Sequence, residues 1–202
     1  MKRTLFITFL SLFALSLGAC NDTDIGAENT ISQAKLTERE NGILSATTDN
    51  AFVFEFNVDS EYKEANIWVE KYEFGKLVDD QVSALGTAID SDGLIIFDIS
   101  KVNDERNETY FNLSISDNGS MSKIRDLVTI SKGQSNMASL SGSSLEENHP
   151  INGEMVLASI CYSSGEGGMS SPSSDFYNDV EGNIYEIKDY EVVYLLKSEF
   201  TR

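Results

Sequence analysis

Ala51-Phe52-Val53-Phe54-Glu55-Phe56-Asn57-Val58 is the stretch on which the fold turns. Phe52, Phe54, Phe56 and Val58 recur at every second position, which puts them on one face of an extended chain. A helix would scatter them. The next segment, Ala65 to Phe74, carries Ile67, Trp68, Val69, Tyr72 and Phe74, rich in residues that suit a pleated surface, with charges at Glu70, Lys71 and Glu73. Gly75-Lys76 then reads as a hairpin connection into Leu77 to Leu85.

Further out the same grammar continues. Gly93-Leu94-Ile95-Ile96-Phe97-Asp98-Ile99 is the most continuous apolar run and reads as a central strand buried on both faces. Thr109 to Ser116 alternates Phe111, Leu113 and Ile115 with Tyr110, Asn112 and Ser114. Asp117-Asn118-Gly119-Ser120 has turn chemistry, and Lys123 to Ser131 returns with Ile124, Leu127, Val128 and Ile130. Glu154 to Tyr162 and Tyr190 to Lys197 complete eight candidate strands. There is no long amphipathic helix and no repeat of fixed period. Sheets that bury one face each must pack together or close into a barrel. The expectation is an all-β, antiparallel β-sandwich of seven to eight strands, immunoglobulin-like or jelly-roll-like, over residues 43–202.

Composition narrows the function classes. The chain has 202 residues, enough for one sizeable domain, and its 10% aromatic content with two prolines excludes a disordered or fibrous protein. Its 33 Asp and Glu against 15 Lys and Arg give a net charge of −18. Nucleic acid is disfavoured, because duplex binding needs bases to displace counterions. Adhesion to an anionic bilayer is disfavoured for the same reason. Cationic proteins, peptides or metal ions suit such a surface, which also serves solubility.

The amino terminus gives an address. Met1-Lys2-Arg3 is a short basic head, Leu5 to Leu15 an apolar run, and Gly18-Ala19 a small-residue end before Cys20. These are the parts of a secretory signal, and the apolar part falls short of the roughly 20 residues of a permanent membrane helix. Leu17-Gly18-Ala19-Cys20 resembles the lipobox of bacterial lipoproteins. That resemblance implies a signal peptide over 1–19, a diacylglyceryl thioether on Cys20, cleavage before it, and attachment to the cell membrane on the extracytoplasmic face. Two acyl chains hold a protein far more firmly than one. Residues 20–42 then read as a flexible linker, with a short helix allowed around Ser32 to Glu40. Cys161 is left as the one cysteine of the mature chain, so no internal disulfide forms.

Two long connections are candidate binding loops: Lys132 to Asn152, with Glu146, Glu147 and His149, and Ser163 to Ser174, with Glu166 and Met169. Catalysis finds little footing. Cys161 sits in an apolar run, where a thiol behaves as a small hydrophobe, and His149 is the only histidine. No G-x-S-x-G is present, and one histidine with one cysteine cannot build a zinc or copper site. Asp90-Ser91-Asp92-Gly93 resembles the opening of a calcium loop but is too short, and a turn before the Leu94 strand explains it equally. Asp90 and Asp92 are therefore weak calcium candidates. Trp68, Tyr72 and Phe74 suit either a stacking platform or ordinary sheet packing. The sequence points to a lipid-anchored module that binds an envelope partner, with a carboxylate-based envelope hydrolase or a calcium-stabilised structural module as alternatives.

Overall fold

A computed structural model describes residues 29–103, 108–145, 147–165 and 168–202. The described strands are β1 (Thr30–Gln33), β2 (Asn50–Asn57), β3 (Glu64–Glu73), β4 (Lys76–Ala88), β5 (Asp92–Asn103), β6 (Glu108–Asp117), β7 (Ser120–Thr129), β8 (Ala138–Gly142), β9 (His149–Pro150), β10 (Glu154–Ser163) and β11 (Val192–Thr201). Helices α1 (Glu38–Thr47) and α2 (Ser174–Asn178) are peripheral. Every pairing is antiparallel. A six-stranded sheet runs β7-β6-β5-β2-β1-β9 and a five-stranded sheet β4-β3-β11-β10-β8. The all-β sandwich expected from the sequence is the fold observed.

Alternation dictates the core. Phe52, Phe54 and Phe56 of β2, Ile95, Phe97 and Ile99 of β5, and Phe111, Leu113 and Ile115 of β6 point inward against Ile67, Val69, Tyr194 and Leu196 of the other sheet. Aromatic rings tie the core together: Phe97 of β5 meets Phe111 of β6 edge-on at 5.7 Å within one sheet, and Phe111 meets Tyr194 of the other sheet at 5.0 Å. Such edge-to-face pairs add about 0.5–1.5 kcal/mol beyond the area they bury. Asp117-Asn118-Gly119-Ser120 is a two-residue hairpin turn with Asn118 at φ 46° and Gly119 at φ 78°. Both central residues need positive φ there, which Asn and Gly supply at least strain.

Three features depart from the sequence reading. First, the 20–42 linker is not structureless over its described part. Thr30–Gln33 forms β1, hydrogen-bonded between β2 and β9. Only Ile31 of that strand enters the core, and four residues with one apolar anchor leave no readable period. The helix begins at Glu38, where the Thr37 hydroxyl and Glu40 carboxylate form a capping box. Second, Lys132 to Asn152 is not an open loop, since it contains a 3-10 turn at Gln134–Asn136 together with β8 and β9. Third, the strand buried on both faces is not Gly93–Ile99. Leu94, Ile96 and Asp98 are only half-buried, whereas Met155–Cys161 and Val192–Ser198 are buried at every position.

A third layer explains the last point. Between β10 and β11 the chain crosses the outer face of the five-stranded sheet. There Phe176, Tyr177, Ile187 and Tyr190 pack on Tyr72, Val156, Cys161, Val193 and Leu195. This cap covers only the upper half of that face. Along ten-residue β3 the two ends of the sandwich lie about 30 Å apart. Asn29, bonded through its amide to Asp59, sits at the lower end, and the Phe74-Gly75 hairpin tip at the upper.

Candidate functional site

Below the cap the outer face of the five-stranded sheet is open, and strand register decides what stands on it. Across β3, β11 and β10, Lys197 lies opposite Trp68 and Val156, and Glu199 opposite Asn66 and Glu154. Glu70 lies one step higher, opposite Leu195. Three strands distant in sequence thus bring Trp68, Glu70, Lys197, Glu154 and Glu199 together.

Glu70 and Lys197 form the inner part of the site. The Lys197 ammonium donates to Glu70 Oε1 at 2.9 Å and to Glu154 Oε1 at 2.6 Å. The Tyr72 hydroxyl donates to Glu70 Oε2 at 2.7 Å, and the Trp68 indole N–H to Glu70 Oε1 at 3.3 Å. Glu70 and Lys197 are both more than nine-tenths buried. Burial pulls the Lys197 pKa down, but hydrogen bonds and charge from Glu154 and Glu70 outweigh it and hold the ammonium above its ordinary value. Burial, reinforced by Glu70, pushes the Tyr72 phenol up. The Trp68 ring is tied to this pair through its bond to Glu70.

Beside it opens a cleft of about 500 Å³, lined by Asn66, Trp68, Asp80, Gln81, Glu154 and Glu199 among others. Its far wall is made by a bulge. Val69 pairs with Ser83 and Lys71 with Asp79, so Asp80, Gln81 and Val82 of β4 face the single residue Glu70. A bulge of this kind bends a strand and re-aims its side chains. Asp79 Oδ1 accepts the Gln81 N–H at 3.0 Å and fixes the bend. Gly86 gives the Asn66 side chain its room, for a Cβ there would lie 2.3 Å from Asn66 Oδ1. Three carboxylates and no lysine or arginine line the cleft. An acidic concavity with an indole in its wall concentrates field on a cation and offers it a π face.

The residues singled out from sequence lie elsewhere. Asp90 lies in the connection between β4 and β5 and Asp92 is the first residue of β5: Asp117 accepts from the N–H groups of Asp90 at 3.1 Å and Ser91 at 3.2 Å, and Ser91 Oγ donates to Asp92. Among the described residues no group of three or more His, Cys, Asp or Glu is placed to hold a metal. Glu147 is exposed and paired with Lys35 at 2.8 Å, whose ammonium holds its carboxyl below the usual range. His149 is half-buried in β9 and lines a separate cleft of about 240 Å³ with Pro150, Glu154, Met155 and Tyr177. Met169 packs against the cap cluster. Cys161 is fully buried, and burial pushes its thiol up to about 12. Cys20, Glu146 and Glu166 lie outside the described residues. Sequence reasoning missed Glu154 and Glu199, since 33 acids give no reason to choose two. Trp68, the only tryptophan, was the usable signal.

Comparison with protein families matches residues 30–200 to the YgaN domain, from the first residue of β1 to the penultimate residue of β11. Comparisons with curated proteins and with solved structures found no match.

Proposed function

The chain belongs to the YgaN domain family, and we propose that it is a lipid-anchored envelope protein whose cleft beside Trp68 receives a cationic group of a partner. The observation that carries this reading is the lining of the cleft: Asp80, Glu154 and Glu199 stand around Trp68, Glu154 is shared with Lys197, and Asp80 and Glu199 enter none of the ion pairs found among the described residues. A guanidinium or ammonium placed there meets carboxylates and an indole together, a combination worth about 2 kcal/mol or more for the π contact when desolvated. Lys197 already takes up Glu70 and part of Glu154. The carboxylates nearest the buried ion pair are thus committed to holding the wall, which favours binding over hydrolysis. The anchor follows from the Cys20 motif and supplies the location, the extracytoplasmic face of the membrane.

Trp68 is its own reporter, because no other tryptophan contributes to the emission. Titrating the full chain in detergent with a short arginine- and lysine-bearing peptide shifts Trp68 emission and saturates. Glu154→Gln with Glu199→Gln weakens the response tenfold or more. An emission unchanged at millimolar peptide rejects the reading. Mass analysis of the mature amino terminus tests the anchor independently, the expected species beginning at an acylated Cys20.

A further inference from the structure

β8 ends before its neighbour does. It pairs with β10 from Ala138 opposite Ser163 down to Gly142 opposite Ser159, and β10 then runs on to Glu154 with no strand beside it on that side. A stretch of sheet edge about 16 Å long is thus left open. The chain that follows β8 passes this gap without filling it, because β9 pairs with β1 in the other sheet. His149 lies opposite Ile31, whose side chain enters the core, so the imidazole turns toward the space between the sheets. α2 covers the gap from above, where the Tyr177 hydroxyl and Ser159 Oγ share a hydrogen bond at 2.7 Å. What remains is the cleft of about 240 Å³ that holds the only histidine. At about 30 Å³ per water it has room for roughly eight waters, or one small ring.

The polar lining of this cleft is unpaired. Ser144, His149, Asn152 and Asn178 all line it, and none of their side chains makes a hydrogen bond or ion pair among the described residues. Ser144 and His149 are half-buried, where an unmet donor or acceptor is costlier than at the surface. Imidazole, amide and hydroxyl groups each both donate and accept. Among the described residues no lysine or arginine lines the cleft, so an anion finds no counter-charge there. Glu154 is the one carboxylate among them and is already paired with Lys197 at 2.6 Å, so a cation gains little. Pro150, Met155 and Val156 supply apolar surface between the polar groups. An uncharged ligand, rich in hydroxyls and apolar on its ring faces, matches this lining. We propose that the cleft binds a single neutral sugar ring, with Asn152 and Asn178 bonding its hydroxyls and His149 reaching it from the core side. Glu154 lines this cleft and the Trp68 cleft alike, so the two sites adjoin, but the sugar site does not depend on the cation seat.

The only histidine reports on its own site, since the imidazole C–H signals in proton NMR belong to His149. The full chain in detergent at fixed pH is titrated with methyl glucoside, methyl galactoside and N-acetylglucosamine. At least one of the three moves the His149 signals saturably in the millimolar range. Asn178→Ala, with an unchanged melting temperature, weakens that sugar about tenfold. It leaves the peptide response of Trp68 intact, because Asn178 does not line the Trp68 cleft. No movement with any of the three sugars overturns the proposal, as does movement that both Asn178→Ala and Asn152→Ala leave unaltered. A saturable shift with inorganic phosphate and none with sugar also overturns it, by making the site one for anions. The two readings fail separately, the peptide being followed at Trp68 and the sugar at His149.

Discussion

Gly93 begins the apolar run of β5 and has no room for anything larger. A Cβ there would lie 2.0 Å from the Ser116 carbonyl oxygen and 2.4 Å from the Phe56 ring. The Phe56 ring takes up the space that a side chain opposite it would use. Gly93→Ala must displace backbone, and destabilisation by about 2 kcal/mol is expected from overpacking of this sort, read from urea denaturation. Cys161 makes the opposite kind of statement. Its thiol is buried under the cap with a pKa near 12, so it remains protonated and sheltered at neutral pH. Iodoacetamide at pH 8 leaves the native chain unlabelled at this residue and labels it fully in denaturant, as mass spectrometry would record. Labelling of the native protein would mean that the cap opens. The apolar setting of Cys161 was readable from its neighbours in sequence. The crowding at Gly93 was not, because Ser116 and Phe56 reach it only through strand pairing.

At the scale of elements, β3 and β11 hold the buried pair on which the cleft wall depends. Lys197→Met leaves Glu70 buried with two neutral donors and no counter-charge, and costs about 3 kcal/mol or more. Adding Glu70→Leu to that variant restores a large part of the loss, because a pair replaced by apolar groups is far less costly than a pair broken. A double-mutant cycle in guanidinium measures the difference, and strictly additive losses would contradict the coupling. The elements themselves were unequally legible. Period-two alternation exposed β2 and β6 because each has one face in the core and one outside. It failed for β1, where Ile31 is the only residue sent into the core. It also misplaced the doubly buried strands. Leu94 and Ile96 look as apolar as Val156 and Leu195, and only the cap of Phe176, Tyr177, Ile187 and Tyr190 separates them. The cleft was still harder to see, since Glu154, Glu199 and Trp68 come from three strands whose neighbourhood is a matter of register.

For the molecule as a whole, the buried acids with raised pKa values set an alkaline limit. Burial raises Cys161, Tyr72, Tyr162, Tyr177 and Tyr194 above their ordinary values. The folded state therefore keeps protons that the unfolded chain releases. Stability on this account is complete below about pH 9 and falls as pH rises through the folded values, the Cys161 share being lost between about 9 and 12. Melting temperature measured from pH 7 to 11.5 should be flat at first and then drop steeply; a rise above pH 9 would contradict this. The order of the strands carries a separate consequence for how the molecule comes into being. β11, ten residues long and the last of the described strands in sequence, lies in the middle of the five-stranded sheet, with β3 on one side and β10 on the other. While the ribosome is still making it, the nascent chain has no partner to close that sheet, and a premature stop before Val192 removes its centre rather than its edge. The five-stranded sheet therefore cannot close about its centre until all four of its other strands have already been made.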